Sequence, residues 1–141
     1  MVALLLSASA CSSASGSTAD LTVTDARVAV DSDRSAAAVY LTVHNDGDAD
    51  DQLTGASTAE GAGMLHESVE DASGRVSMRM LDEMDVPAGG ELVLAPGGAH
   101  LMVAIPQALQ EGDRFDVTLT FDESGEVVVP VDVVSADEVL G

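Results

Sequence analysis

Residues 114–134 alternate in character. Phe115, Val117, Leu119 and Phe121 are apolar, and Asp116, Thr118, Thr120 and Asp122 stand between and after them. Successive side chains of a β-strand point to opposite faces, so this text specifies a strand with one face for a core and one for water. Residues 122–125 carry turn chemistry, and residues 127–134 return as a second strand. Pro130 has no N–H to give a ladder, so it belongs on an edge or at a bulge. A hairpin of this kind needs further strands to cover its apolar face.

The rest of the chain supplies them. Leu21, Val23 and residues 28–30 predict a first strand, followed by a polar turn over 31–34. Residues 36–45 predict a second, in which Val39, Leu41 and Val43 alternate with Tyr40, Thr42 and His44. Asp46-Gly47 is a turn and residues 48–51 continue it as an acidic loop. Shorter strands are expected over 52–57, 64–69, 75–80, 91–94 and 100–104, punctuated by Val86-Pro87-Ala88-Gly89-Gly90 and by the sharp turn Pro96-Gly97-Gly98. Residues 105–110 form a loop or a single helical turn. Short strands at this spacing, with no long helical pattern, predict an all-β antiparallel β-sandwich. A chain of 141 residues is one domain's length. Its only aromatics are Tyr40, Phe115 and Phe121, so Ala, Val and Leu must fill the core.

The charge excludes some functions. Five arginines (Arg27, Arg34, Arg75, Arg79, Arg114) face 25 acidic residues, a net charge of −20. Such a surface repels nucleic acid and anionic lipid, favours solubility and concentrates cations. The single cysteine, Cys11, precedes the domain. The domain therefore has no internal disulfide, thiolate metal site or dithiol redox motif.

Residues 1–11 (MVALLLSASA, then Cys11) form a short apolar run ending in small residues before a cysteine. This is the form of a lipoprotein signal segment whose cysteine is lipidated. The run is too short to span a bilayer. It has no basic leading residue and has Ala8 three before the cysteine, so the start is expected upstream. Residues 12–20, rich in Ser, Ala, Gly and Thr, read as a flexible linker, and residues 21–141 as the domain. Together they predict an extracytoplasmic protein anchored by lipid at the outer face of the cell membrane.

The chemistry lies between His66 and Met102. His66 is followed after eleven residues by Met78, and Met78 after twenty-one by His100, with Met102 two positions on. His100 and Met102 share one face of a strand and Leu101 and Val103 the other. Met78 taken alone reads as core packing, by its alternation with Ser77 and Arg79. Two imidazoles and two thioethers suit a soft metal: thioether sulfur selects Cu(I) over zinc, calcium or magnesium. A blue-copper electron-transfer centre needs a thiolate that this domain lacks. Met64 and Met80 are near-site alternatives, each two residues from a proposed ligand. Packing roles are expected for both, as for Met84, and His44 reads as a solvated strand-end residue.

These residues, with Leu65-His66-Glu67, Met78-Arg79-Met80, Val86-Pro87-Ala88-Gly89-Gly90, Pro96-Gly97-Gly98-Ala99-His100-Leu101-Met102, Glu111-Gly112-Asp113 and Leu119-Thr120-Phe121, resemble the periplasmic copper chaperones of the PCu(A)C family over residues 21–133. Glu67 stands where some members have an additional Met, Ala99 where Tyr is frequent, and no Trp precedes Ala26-Arg27. The resemblance implies a cupredoxin-like Greek-key sandwich. It implies Cu(I) held by His66, Met78, His100 and Met102, and delivery toward the CuA centre of cytochrome c oxidase with a thioredoxin-like partner. It implies a carrier and not an enzyme. No nucleophile–base pair, carboxylate-rich metal motif or phosphate loop points to catalysis. The competing expectation is a noncatalytic lipid-anchored adhesion or scaffold module.

Overall fold

The computed structural model describes residues 17–29, 35–106 and 108–140. The signal segment with Cys11, residues 12–16 of the linker and the turn at 31–34 lie outside the described residues. In chain order the elements are β1 (Leu21–Ala29), β2 (Ala36–Asn45), β3 (Asp51–Thr58), β4 (Gly61–Ala62), β5 (Met64–Glu70), β6 (Val76–Leu81), β7 (Met84–Val86), β8 (Glu91–Leu94), β9 (Ala99–Ala104), β10 (Arg114–Phe121), β11 (Gly125–Val134) and α1 (Ala136–Leu140).

The strands form one curled sheet in the order β4-β3-β10-β11-β1-β2-β9-β5-β6, with β7 on β3 and β8 on β2. The curl brings β3 against β9 and β5, so the sheet folds over itself as a cupredoxin-like sandwich. Between its layers lie Val39, Leu41 and Val43 of β2, Leu65 of β5, Leu101 and Val103 of β9, and Val117, Leu119 and Phe121 of β10. These are the alternate residues that the period of two assigns to a core.

Three features differ from an all-antiparallel reading. β1 pairs β11 in parallel, Arg27 to Ala29 against Asp132 to Val134, which lays the first and last strands side by side. β11 is consequently interior in the sheet order. Pro130 is nevertheless accommodated, because β1 joins only from Asp132 onward and the β11 edge at Pro130 remains free on that side. A bulge interrupts β1 between Thr24 and Arg27, with Asp25 in the left-handed region at φ 57°, which Asp tolerates better than most residues. The strands β4 and β7 and the short helix α1 were not expected from periodicity, which is weak over two to five residues.

Asn45 ties the loops at one end. It is fully buried. Its Nδ2 donates to the carbonyls of Ala49 (2.8 Å) and Val86 (3.2 Å), and its Oδ1 accepts from the N–H groups of Asp20 (3.2 Å) and Gly47 (3.0 Å).

Gly63, between β4 and β5, is closely hemmed in by β3 and β9. Its N–H donates to the Ala56 carbonyl at 2.7 Å. A Cβ there would lie 2.9 Å from the Met102 carbonyl oxygen and 2.9 Å from Val103 Cγ1. Gly63→Ala must push the β9 backbone aside. It is expected to lower stability by about 1–3 kcal/mol, the usual cost of overpacking. An unchanged urea midpoint would show that the approach is looser than this geometry requires.

Candidate metal centre

The turn before β9 sets the site. Ala95 accepts a hydrogen bond from the Gly98 N–H at 3.0 Å across Pro96 and Gly97, and Gly97 has φ +83°. Proline second and a left-handed glycine third make a type II turn. β9 then runs with Leu101 and Val103 buried in the core and His100 and Met102 on the opposite, outer face.

Pairing brings partners to that face. His100 is directly opposite His66 on β5, and Met102 opposite Met64. On the far side of β5, Met80 of β6 is opposite His66, and Met78 is opposite Ser68, one step diagonally from His66. On the near side, Ala38 of β2 is opposite Met102. The same register places Tyr40 beside His100, with ring centroids 6.3 Å apart. His66, His100, Met78 and Met102 thus share one face of adjacent strands.

The two histidines meet edge to face, with centroids 5.5 Å apart at 86°. His66 Nδ1 and His100 Nε2 are both buried and neither has a hydrogen-bond partner. Buried polar atoms are rarely left in that state, and each such loss costs about 1–3 kcal/mol. Two unpartnered ring nitrogens on neighbouring rings are available as donors to a ligand.

His100 is 3% exposed. Burial lowers its pKa; the Gly98 backbone opposes the shift by favouring the protonated ring, and the neighbouring His66 adds to it. His100 is therefore neutral at pH 7, the form that ligates. The lowered value has a consequence for the metal-free fold. The unfolded chain takes up this proton near pH 6.5 and the folded chain only at lower pH. Stability is full above about pH 6.5 and declines as pH falls toward the folded-state pKa. Urea midpoints from pH 7.5 to 5 should fall in the wild type and fall less in His100→Gln. Equal slopes would remove His100 as the cause.

The methionines correct the expectation from periodicity. Met78 and Met80 are 61% and 64% exposed and Met64 is 45% exposed, so none is core filler. Alternation identifies two faces of a strand, but β6 is the outermost strand and its apolar face is turned outward. Met84 is buried, as expected. Met78 and Met102 line the same cleft, of about 300 Å³, together with Ala38, Tyr40 and, from α1, Val139 and Leu140. That cleft is where Met78, two strands from Met102, comes alongside it. His44 is partnered after all: Nε2 lies 3.0 Å from Thr24 Oγ1 and Nδ1 3.3 Å from Glu91 Oε2. It lies away from the other two histidines.

Glu67 is turned to the face opposite His66 and ion-paired with Arg79, so the position after His66 adds no donor. Among the described residues no group of three His, Cys, Asp or Glu could hold a metal. The donors at hand are two imidazoles with thioethers around them, a set matched to a soft, low-charge ion.

Comparison with known proteins agrees with the fold. Residues 21–133 match the family described as "Putative lipoprotein LpqE-like". A curated relative from Leifsonia xyli subsp. xyli, "Putative lipoprotein Lxx21020", is 32% identical over 98 residues, covering 67% of this chain. The match spans about 59% of that relative's length. Among solved structures, the copper-bound PCuAC domain from PmoF2 superposes with a TM-score of 0.68 at 23% identity, covering 82% of this chain and 92% of that one. The CuI-DR1885 solution structure from Deinococcus radiodurans gives a TM-score of 0.59 at 27% identity, covering 79% and 76%. The fold is that of PCuAC domains.

Proposed function

Because the chain belongs to the LpqE-like lipoprotein family, we propose that it is an extracytoplasmic Cu(I) carrier, held at the outer face of the cell membrane by lipid on Cys11. His66, Met78, His100 and Met102 are the proposed ligands. The observation that carries the reading is the adjacent pair of orphaned ring nitrogens, His66 Nδ1 and His100 Nε2, on a face whose remaining donors are thioether sulfurs. The Cu(I) form of DR1885 supports the choice of ion. Neutral ligands bind without adding negative charge, which favours Cu(I) over Cu(II), and they yield to a thiolate site that binds more tightly. A carrier needs that property, and an enzyme role finds no support in the donor set.

The PCu(A)C resemblance supports delivery toward the CuA centre of cytochrome c oxidase, with a thioredoxin-like partner. The surplus of acidic residues raises the local concentration of cations around the domain. No helix among the described residues is long and apolar enough to cross a membrane. Membrane attachment in this reading rests on the amino-terminal lipid alone.

The test is titration of the reduced, copper-free chain with Cu(I) against a chromophoric chelator. One Cu(I) per chain is expected, with nitrogen and sulfur scatterers in X-ray absorption. Bound copper should also stabilise the fold, by about 2.7 kcal/mol when free Cu(I) is 100-fold above Kd. Failure to retain any Cu(I) under competition would leave the chain as an anchored scaffold module.

A further inference from the structure

Four large apolar side chains are exposed on the outer face of the β5–β6 hairpin: Met64, Val76, Met78 and Met80. Exposure alone does not distinguish them. Val76 is 63% exposed and stands opposite Glu70, remote from the site. Met80 stands opposite His66, and Met64 opposite Met102. Directly opposed side chains of an antiparallel pair have Cβ atoms about 4.5–5.5 Å apart. Two solvent-side sulfurs that the four-residue set does not use therefore lie one strand spacing from two of its members.

His100 is almost wholly buried between β2 and β5, with Tyr40 beside it. The cleft on that side reaches Met78 and Met102 but neither histidine, so the rings have no approach through it. The open side is the hairpin, and there the exposed groups next to the site are thioethers on long, flexible stems. We propose that Met64 and Met80 are exchange ligands for Cu(I), an outer pair that takes the ion as it arrives and presents it as it leaves, while His66, Met78, His100 and Met102 hold it at rest. This inference rests on the copper reading above. As the ion leaves, sulfur–copper bonds to the outer pair form as nitrogen–copper and sulfur–copper bonds to the resident set break, and on arrival the order reverses. All the protein ligands are neutral, and the ion stays Cu(I), with no electron or proton transferred.

The experiment compares wild type, the double variant M64L/M80L and the control V76L, each as the full chain. Two quantities are read. One is Cu(I) affinity by competition with bicinchoninate, and the other is the stopped-flow rate of Cu(I) loss to bathocuproine. Leucine keeps the apolar bulk and removes the sulfur. The double variant should keep one Cu(I) with affinity within about threefold of wild type and release it about tenfold more slowly, while V76L matches wild type in both. An unchanged release rate would overturn the proposal. So would an affinity loss beyond about a hundredfold, which would make these residues resident ligands. Equal slowing in V76L would show that the stripe acts as an apolar contact surface. A wild-type chain that retains no Cu(I) would instead refute the copper reading itself, an outcome visible before any variant is made.

Discussion

Replacing His100 and Met102 together by alanine should reduce Cu(I) affinity by roughly 10²–10⁴. Each lost donor is worth at least a hydrogen bond to a charged group, about 1.5–3 kcal/mol, so the pair removes about 3–6 kcal/mol of binding. The two side chains come from one strand, face the same way and are fixed by the type II turn at Pro96-Gly97. They form the half of the site that needs no long-range assembly. His66 and Met78 form the other half, delivered by the β5–β6 hairpin. Met78→Leu tests that half alone: a loss of about 1.5–3 kcal/mol is expected if its sulfur is a ligand, and none if it is only an apolar wall of the cleft. Chelator competition measures both variants, with circular dichroism confirming that each remains folded. Wild-type affinity in the double variant would move the site elsewhere.

The division between local and non-local also governs how much of the molecule was legible in its sequence. The strand over residues 36–45 and the one over 91–94 have the predicted bounds, and Leu101 and Val103 are buried as predicted, because a period of two and nearby turn chemistry decide them. The parallel pairing of β1 with β11 was not legible. It joins residues about a hundred positions apart, and no local pattern encodes that register. The methionines fell in between. Alternation showed that Val76, Met78 and Met80 share a face, but only the position of β6 at the end of the sheet determines that this face is uncovered. The neighbours of His66 are likewise a matter of register. Met80 is directly across from it and Met78 is diagonal, an order that spacing along the chain cannot give.

Asp51 is the clearest residue the sequence concealed, and replacing it should produce the largest loss of stability. In the run Asp48 to Asp51 it reads as one more solvated acid. In the fold it is 2% exposed. Its Oδ1 accepts from the N–H groups of Gln52 (2.8 Å) and Glu123 (2.9 Å), and its Oδ2 from the Ser124 N–H (3.1 Å) and hydroxyl (2.5 Å). It therefore latches the start of β3 to the β10–β11 turn more than seventy residues away. Burial acts to raise its pKa, but these hydrogen bonds from Ser124, Glu123 and Gln52 outweigh it and hold the carboxyl below the usual carboxylate range. Asp51→Ala leaves the turn's donors without their acceptor, at about 1–3 kcal/mol for a buried group and more where a charge is involved. A total of about 3–4 kcal/mol is expected, a fall in melting temperature of roughly 10 °C for a domain of this size. Asp51→Asn keeps the shape but turns an amide donor toward N–H groups, and should recover little. The pH dependence has the sign of a depressed acid. The stabilisation is present above the unfolded value near 3.9 and is lost as pH falls through the lower folded-state pKa. Thermal melts of wild type and Asp51→Ala from pH 7 to 2 should therefore converge only at the acid end. Parallel curves would show that the latch does not depend on the ionised carboxyl, and a variant as stable as wild type at pH 7 would show that it contributes nothing. Because the latch lies away from the His66–His100 face, Cu(I) affinity of the folded variant should be unchanged, which separates the residues that hold this fold from those proposed to hold the ion.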